Sequence, residues 1–411
     1  MDRKVAFYTL GCKVNQYDTH AMMEQFLDAG YEIVDFEDFA HVYIVNTCTV
    51  TNMSDRKSRQ MLRRAHRTNP EAIIGAVGCY AQRVADELLT IPGIKLVLGN
   101  RDRHNIVDYI ERIEKTGIPI NGVADVMKEG VFEETPISSY SERTRAVIKV
   151  QEGCNQFCTY CIIPYARGPI RSRRLEDVVE EVGRLAGAGY KEIVLTGIHI
   201  TSYGKDIGDV ELIDLIEAIH PIEGLERIRL GSLEPNYIDS RFIDRARSLP
   251  KLCPHYHISL QSGSDSTLKR MGRRYTSEEY RAIVDGLREM NPDVSITTDV
   301  MVGFPGETDE HFEESYRFVE DIGFSKIHVF QYSPREGTPA ASFKDQVQSE
   351  VKAERSERLI ELGHNLEREF MERFLDRQEE VLFEQSVPGS SDLYEGYTAS
   401  YIKVVAKSDK D

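Results

Sequence analysis

Three cysteines stand close together in "GCNQFCTYCIIPYARG" (153–168): Cys154, Cys158 and Cys161, spaced four and then three. Thiolates are soft ligands, suited to zinc or to iron–sulfur clusters. A closed zinc site needs four protein ligands. On a cubane cluster, three thiolates hold three of the four irons and leave one open to a small chelating ligand. The zinc alternative needs a fourth donor from Cys253, His255 or His257, and the four-then-three spacing is a poor match to paired C-x-x-C knuckles. Three more cysteines, Cys12, Cys48 and Cys79, lie 36 and 31 residues apart. Cys253, the seventh, reads as a structural thiol.

The surrounding elements say how distant cysteines meet. "VAFYTL" (5–10), "HVYIVNT" (41–47), "AIIGAVG" (72–78) and "IKLVLG" (94–99) are apolar, strand-like runs. Helical patterns separate them, from about Gln16 to Ala29, from Ser54, and from Gln82 to Leu89. This alternation predicts a doubly wound parallel sheet covered on both faces. Cys12, Cys48 and Cys79 each follow a strand, and open α/β sheets bind ligands at the carboxyl ends of their strands. A second alternating series follows: 146–150, 192–197, 227–232, 257–263, 294–303 and 326–332. Six β/α units predict a complete or partial barrel with its site at the strand C-termini. Thr196, Gly197, Ser232, Glu234, Gln261, Ser262 and Asp299 are the polar or small residues there, and Cys154, Cys158 and Cys161 follow the first barrel strand.

The expected organisation is an N-terminal domain over 1–116, a linker over 117–145, a barrel over 146–345, a solvated connecting helix over 346–376 and short strands over 377–411. With 411 residues, 41% of them hydrophobic, the chain has the composition of a soluble globular protein, and no apolar run is long enough for a membrane helix. The start "MDRKVAFYTLGC" has no signal-peptide pattern, so a cytoplasmic location is expected, where odd-numbered cysteines serve as ligands or nucleophiles. The net charge of −17 argues against a generic nucleic-acid coat protein. Acid-free basic runs at 56–67, 167–174 and 269–274 nevertheless mark candidate polyanion sites. The turn "GFPGET" lacks the lysine of a P-loop and reads as a barrel turn, with Asp299 or its neighbours facing the site.

The C-x-x-x-C-x-x-C loop opening a six-unit barrel resembles the radical S-adenosylmethionine (SAM) enzymes. "YTLGCKVNQYDT", "VNTCTVT" and "GCYAQ" ahead of it, with "LGSLEP", "SLQSGSD", "VMVGFPGET" and "FQYSPREGTPA" along the barrel, resemble the methylthiotransferases over essentially the whole chain. The resemblance implies two [4Fe–4S] clusters and SAM. Cys154, Cys158 and Cys161 would carry the cluster whose open iron binds SAM for reductive cleavage to a 5′-deoxyadenosyl radical. Cys12, Cys48 and Cys79 would carry an auxiliary cluster that holds the sulfur to be methylated and transferred. Tyr160, Thr196, Gly197, Ser232, Glu234, Gln261 and Asp299 are the expected SAM contacts. The tail from about Gln378 resembles the start of a TRAM domain, a small RNA-binding β module that runs further in the family.

The implied substrate is tRNA, with Arg167, Arg171, Arg173 and Arg174 as phosphate contacts. The motif after the first cysteine, Lys13-Val14-Asn15, resembles the branch acting on threonylcarbamoyl-adenosine at tRNA position 37. That group bears a carboxylate, which Lys13 or Arg167 could meet in a charge-assisted hydrogen bond. Alternatives are the same chemistry on isopentenyl-adenosine in tRNA or on a ribosomal-protein aspartate. A different class is an iron–sulfur RNA-binding scaffold without catalysis. A flavodoxin-type electron donor and a monomeric state complete the expectation.

Overall fold

Every residue of "VYIVNT" and "IIGAVG" is buried, as the central strands of a parallel sheet must be when helices cover both faces. The computed structural model describes residues 3–128, 130–135, 137, 144–390 and 392–407. Its first sheet contains β1 (Arg3–Thr9), β2 (Tyr31–Val34), β3 (Val42–Thr47), β4 (Ile73–Gly78), β5 (Ile94–Val97) and β6 (Ile120–Asn121). They pair in the order β2-β1-β3-β4-β5-β6, all parallel. Alternate side chains feed two cores. Tyr43, Val45, Ile74 and Ala76 meet Met61, Leu62 and Ala65 of helix Asn52–Thr68 on one face. On the other, Ile44, Val77 and Leu96 meet Met22 and Phe26 of helix Lys13–Asp28 and Ile106, Ile110 and Ile113 of helix Ile106–Thr116.

The second unit contains β7 (Arg145–Glu152), β8 (Arg171–Ser172), β9 (Glu192–Gly197), β10 (Arg227–Leu230), β11 (His255–His257), β12 (Ser295–Val302) and β13 (Lys326–Gln331). Two ladders, β10-β9-β7-β8 and β11-β12-β13, form one arc, joined by the bridges Ile228–Leu252 and Leu233–Ile258. Short β8 runs antiparallel to β7. No ladder returns from β13 to β7 among the described residues, so the six parallel strands make an open barrel. The fourth barrel strand is shorter than expected: β11 ends at His257, and beyond it Ile258 and Gln261 make single bridges only. β14 (Val381–Ser386), β15 (Leu393–Thr398) and β16 (Lys403–Lys407) form a small antiparallel sheet.

Two stretches differ from the sequence reading. Part of the supposed linker is built into the fold: β6 extends the first sheet, and Val126, Phe132 and Ile137 are buried. Residues 138–143 of that linker lie outside the described residues. Nor is helix Ser349–Glu372 a solvated connector. Leu359, Leu362 and Leu366 join the barrel core, and Gly363 brings the helix so near β13 that a Cβ would lie 2.5 Å from Ile327. Its many charges occupy the outer face and hid this burial in the sequence.

Candidate active site between two cysteine trios

Cys12, Cys48 and Cys79 follow β1, β3 and β4 at one end of the first sheet, as their strand positions predict. Gly11 permits their approach. At φ +102° it takes a backbone conformation open to glycine, and a Cβ there would lie 3.1 Å from the Cys48 sulfur. Cys12 is exposed, whereas Cys48 and Cys79 are buried. Burial pushes the Cys79 thiol up to about 11, opposed by the Arg167 charge and reinforced by Cys12 and Cys48. Burial also raises Cys48.

The second trio sits on the loop after β7. Gly153, at φ +75°, packs so tightly that a Cβ would lie 1.9 Å from the Pro169 carbonyl oxygen. The Cys154 N–H donates to the Gly168 carbonyl (3.0 Å), and the Thr159 N–H to that of Met271 (2.9 Å). Burial raises Cys154 to about 11 and Cys161 to about 12. Metal binding would therefore release protons from these thiols. Among the described residues no three His, Cys, Asp or Glu side chains converge on one metal ion. Cys253 lies elsewhere, buried near Arg229, and His255 stacks on Tyr401.

Buried arginines hold both trios. Arg167 donates from Nε to the Cys79 sulfur (3.1 Å) and from Nη1 to both Glu152 oxygens (2.8 and 2.9 Å), while Nη2 reaches Asn15. It thereby ties the first trio to the end of β7, two residues before Cys154. Arg273 repeats the device: Nη1 lies 3.5 Å from the Cys158 sulfur, and Nη2 pairs with Glu234 at 2.8 Å. Between the units, Asp18 meets Lys149 and Arg103, each at 2.5 Å.

The structure corrects the phosphate contacts. Arg167 is fully buried in the bonds just described. Arg171 is buried, donating to the Arg167 and Pro169 carbonyls, and Arg173 is buried against Glu134 and Glu181. Only Arg174 is exposed, 3.7 Å from Glu176. Arg167 is equally unavailable to a substrate carboxylate. An acid-free stretch of sequence cannot reveal partners that lie far along the chain.

Lys13 fares differently. It lines a cavity of about 500 Å³ with Ser232, His257, Asp299 and His328 of the barrel and Tyr401 of the terminal sheet. Surrounding protein lowers its pKa, chiefly by desolvation. Asp299 lies 3.3 Å from His257 Nε2. Of the other expected SAM contacts, Glu234 stands beside Arg273, and Gln261 bridges β12 through its backbone at φ +66°. Tyr160 is half-buried, its ring edge-on to Phe304. Thr196 and Ser262 are buried; a Cβ on Gly197 would press on Gln151 at 2.9 Å. The sequence reading missed Arg273, Arg335 and His199. Burial lowers His199 to about 4, keeping it neutral beside Gln156 and Glu234. The motifs "KRMGRR" and "FQYSPREGTPA" contained the two arginines without disclosing their partners.

An open six-strand barrel carrying a three-cysteine loop defines a radical SAM enzyme, and the comparisons agree. Residues 148–319 match the family described as Radical SAM superfamily, and residues 4–99 match Uncharacterized protein family UPF0004. The chain is 46% identical over 410 residues to threonylcarbamoyladenosine tRNA methylthiotransferase MtaB of Bacillus subtilis, covering 99% of this chain and 91% of that one. It is 38% identical over 405 residues to tRNA-2-methylthio-N(6)-dimethylallyladenosine synthase of Geobacillus kaustophilus, covering 96% and 76%. The radical SAM methyltransferase TsrM of Kitasatospora setae shares the fold, with a TM-score of 0.62 at 17% identity over 83% of this chain and 77% of that one. The chain belongs to the radical SAM methylthiotransferase family.

Proposed function

We propose that this enzyme adds a methylthio group to carbon 2 of threonylcarbamoyl-adenosine at position 37 of tRNA. Cys154, Cys158 and Cys161 hold one [4Fe–4S] cluster, and Cys12, Cys48 and Cys79 hold the other. When bound, the clusters and SAM supply reductive SAM cleavage at the first site and the sulfur at the second. The chain's own part is to bind, orient and exclude water. Arg167 holds the two loops in register through Cys79 and Glu152, and Arg273 holds Glu234 beside the SAM-side loop.

The observation that carries the substrate choice is the cavity at Lys13. Ser232, His255, His257, Thr297, Asp299 and His328 of the barrel line it on one side, and Leu230, Phe370, Met371 and Ile402 supply apolar surface. His257, Asp299 and Thr297 pair among themselves, so an isopentenyl group would leave Lys13 and His255 Nδ1 without a partner, whereas a threonylcarbamoyl group offers a hydroxyl, amides and a carboxylate to meet them. Reduction comes from a separate electron-transfer protein of the flavodoxin type. The chain acts as a monomer in the cytoplasm, where its tRNA substrate resides. No helix among the described residues is long and apolar enough to cross a membrane.

The test is anaerobic reconstitution with iron counting, followed by mass analysis of tRNA nucleosides. Wild type should hold about eight irons. Replacing Cys154, Cys158 and Cys161 by Ala should leave about four irons and abolish SAM cleavage. Replacing Cys12, Cys48 and Cys79 by Ala should leave about four irons and SAM cleavage but no methylthio product. Product from that second variant would refute the auxiliary assignment. Product only from isopentenyl-modified tRNA would move the chain to the other branch.

A further inference from the structure

With most of the 167–174 arginines buried, the tRNA-binding charge must come from elsewhere. In the 269–274 run Arg273 is buried against Glu234 and Arg270 pairs with Asp345, which leaves only Lys269 and Arg274 exposed without an ion pair among the described residues. The third acid-free run, 56–67, falls on helix Asn52–Thr68. Ser58, Met61, Leu62 and Ala65 face the sheet, so the outward face carries Arg56, Lys57, Arg63, Arg64 and Arg67. Arg64 pairs with Glu37, and Arg59 turns to the Tyr80 hydroxyl. Arg56, Lys57, Arg63 and Arg67 are exposed and form no ion pair among the described residues. In a chain of net charge −17, one helix thus presents four exposed cations without an ion pair among the described residues.

Their placement matters as much as their sign. Arg56, Arg63 and Arg67 follow i, i+7, i+11 spacing, which puts them on one line, about 16 Å long at 1.5 Å per residue. The helix begins four residues after Cys48 and is fixed at that end. Arg335 pairs with Asp55 and donates to Thr49 (2.9 Å), while the Ala340 N–H, on the same segment, donates to the Thr159 carbonyl (2.9 Å) in the second cysteine loop. The line of cations therefore starts beside the candidate active site and runs outward from it.

We propose that this face of helix Asn52–Thr68 is a phosphate track for the tRNA substrate, holding the backbone that flanks the modified nucleoside. The inference rests on the proposed tRNA reading and adds a binding surface on the N-terminal domain. Successive phosphates spaced a few ångströms apart along one strand can meet Arg56 with Lys57, then Arg63, then Arg67.

The experiment compares wild type with the combined variant Arg56→Gln, Lys57→Gln, Arg63→Gln, Arg67→Gln. Binding of threonylcarbamoyl-modified tRNA is measured from about 50 to 300 mM salt. Each lost phosphate contact removes about 0.7 to 0.9 from the slope of log affinity against log salt. A slope shallower by about 2 to 3, with KM for tRNA raised at least ten-fold, is the expected result. Iron content and thermal midpoint should stay at wild-type values, because all four side chains are exposed. A slope change smaller than one would overturn the track. Wild-type mass analysis on the same tRNA separates the two claims: product from wild type with an unaltered variant slope removes only the track. A wild type that neither binds nor modifies tRNA removes the reading beneath it.

Discussion

Arg167 donates to the Cys79 sulfur while its charge is balanced by Glu152, 2.8 Å away. A hydrogen bond to a ligating sulfur favours the reduced, more negative cluster and so raises its reduction potential. With Cys79 as an auxiliary-cluster ligand, Arg167→Lys should keep the iron content and lower that cluster's potential, measured by redox titration followed by electron paramagnetic resonance. Arg167→Ala should do more harm, since it takes from buried Glu152 its 2.8 Å partner and leaves it only Lys149 and Arg103, at 3.6 and 3.8 Å. A loss of about 3 to 5 kcal/mol is expected, read from denaturant unfolding. Lys13 tests the cavity. Lys13→Met should reduce kcat/KM on threonylcarbamoyl-modified tRNA by about ten- to a hundred-fold, the value of a charge-assisted hydrogen bond. Unchanged kcat/KM would remove Lys13 from substrate recognition.

Among the elements, helix Ser349–Glu372 belongs energetically to the barrel. It packs along β13 and fastens the turn after β12 through Arg355, which pairs with Glu307 at 2.6 Å; Glu307 in turn accepts the Gly303 N–H at 2.8 Å. Leu359→Ala should cost about 2 to 5 kcal/mol, because a fully buried leucine leaves a cavity. Gly363→Ala should also destabilise, by about 1 to 3 kcal/mol, since the added methyl meets Ile327. Both are measurable as shifts in the unfolding midpoint. A solvent-facing connector would tolerate either change.

For the molecule as a whole, Asp18 links the N-terminal domain to β7. Burial alone would raise its pKa. The charges of Arg103, Lys149 and Arg167 outweigh burial and hold the carboxyl well below the usual carboxylate range. A depressed folded-state pKa contributes stability that is complete above the unfolded value of about 4 and is lost as pH falls below it. Wild-type thermal midpoint should therefore drop as pH is lowered from about 5 to 3. Asp18→Asn should start lower at neutral pH and show a flatter acid dependence. An identical acid profile for the two proteins would mean that the network carries no net stability across the domain boundary.

The sequence by itself determined the chemistry and the class of scaffold. Cysteine spacing is local and is read directly. Buried parallel strands are apolar on both faces, so β1, β3, β4 and most barrel strands announced themselves, and with them the meeting of Cys12, Cys48 and Cys79 at one sheet end. Short strands carried too little pattern: β2 has four residues and β6 two. Only the tertiary structure decided which basic residues face water. Arg173 finds Glu134 and Glu181, and Arg167 finds Asn15 on another domain, whereas Arg56, Lys57, Arg63 and Arg67 remain on the surface. In sequence these arginines look alike, because a charge is neutralised by whatever the fold brings within about 4 Å, not by its neighbours along the chain.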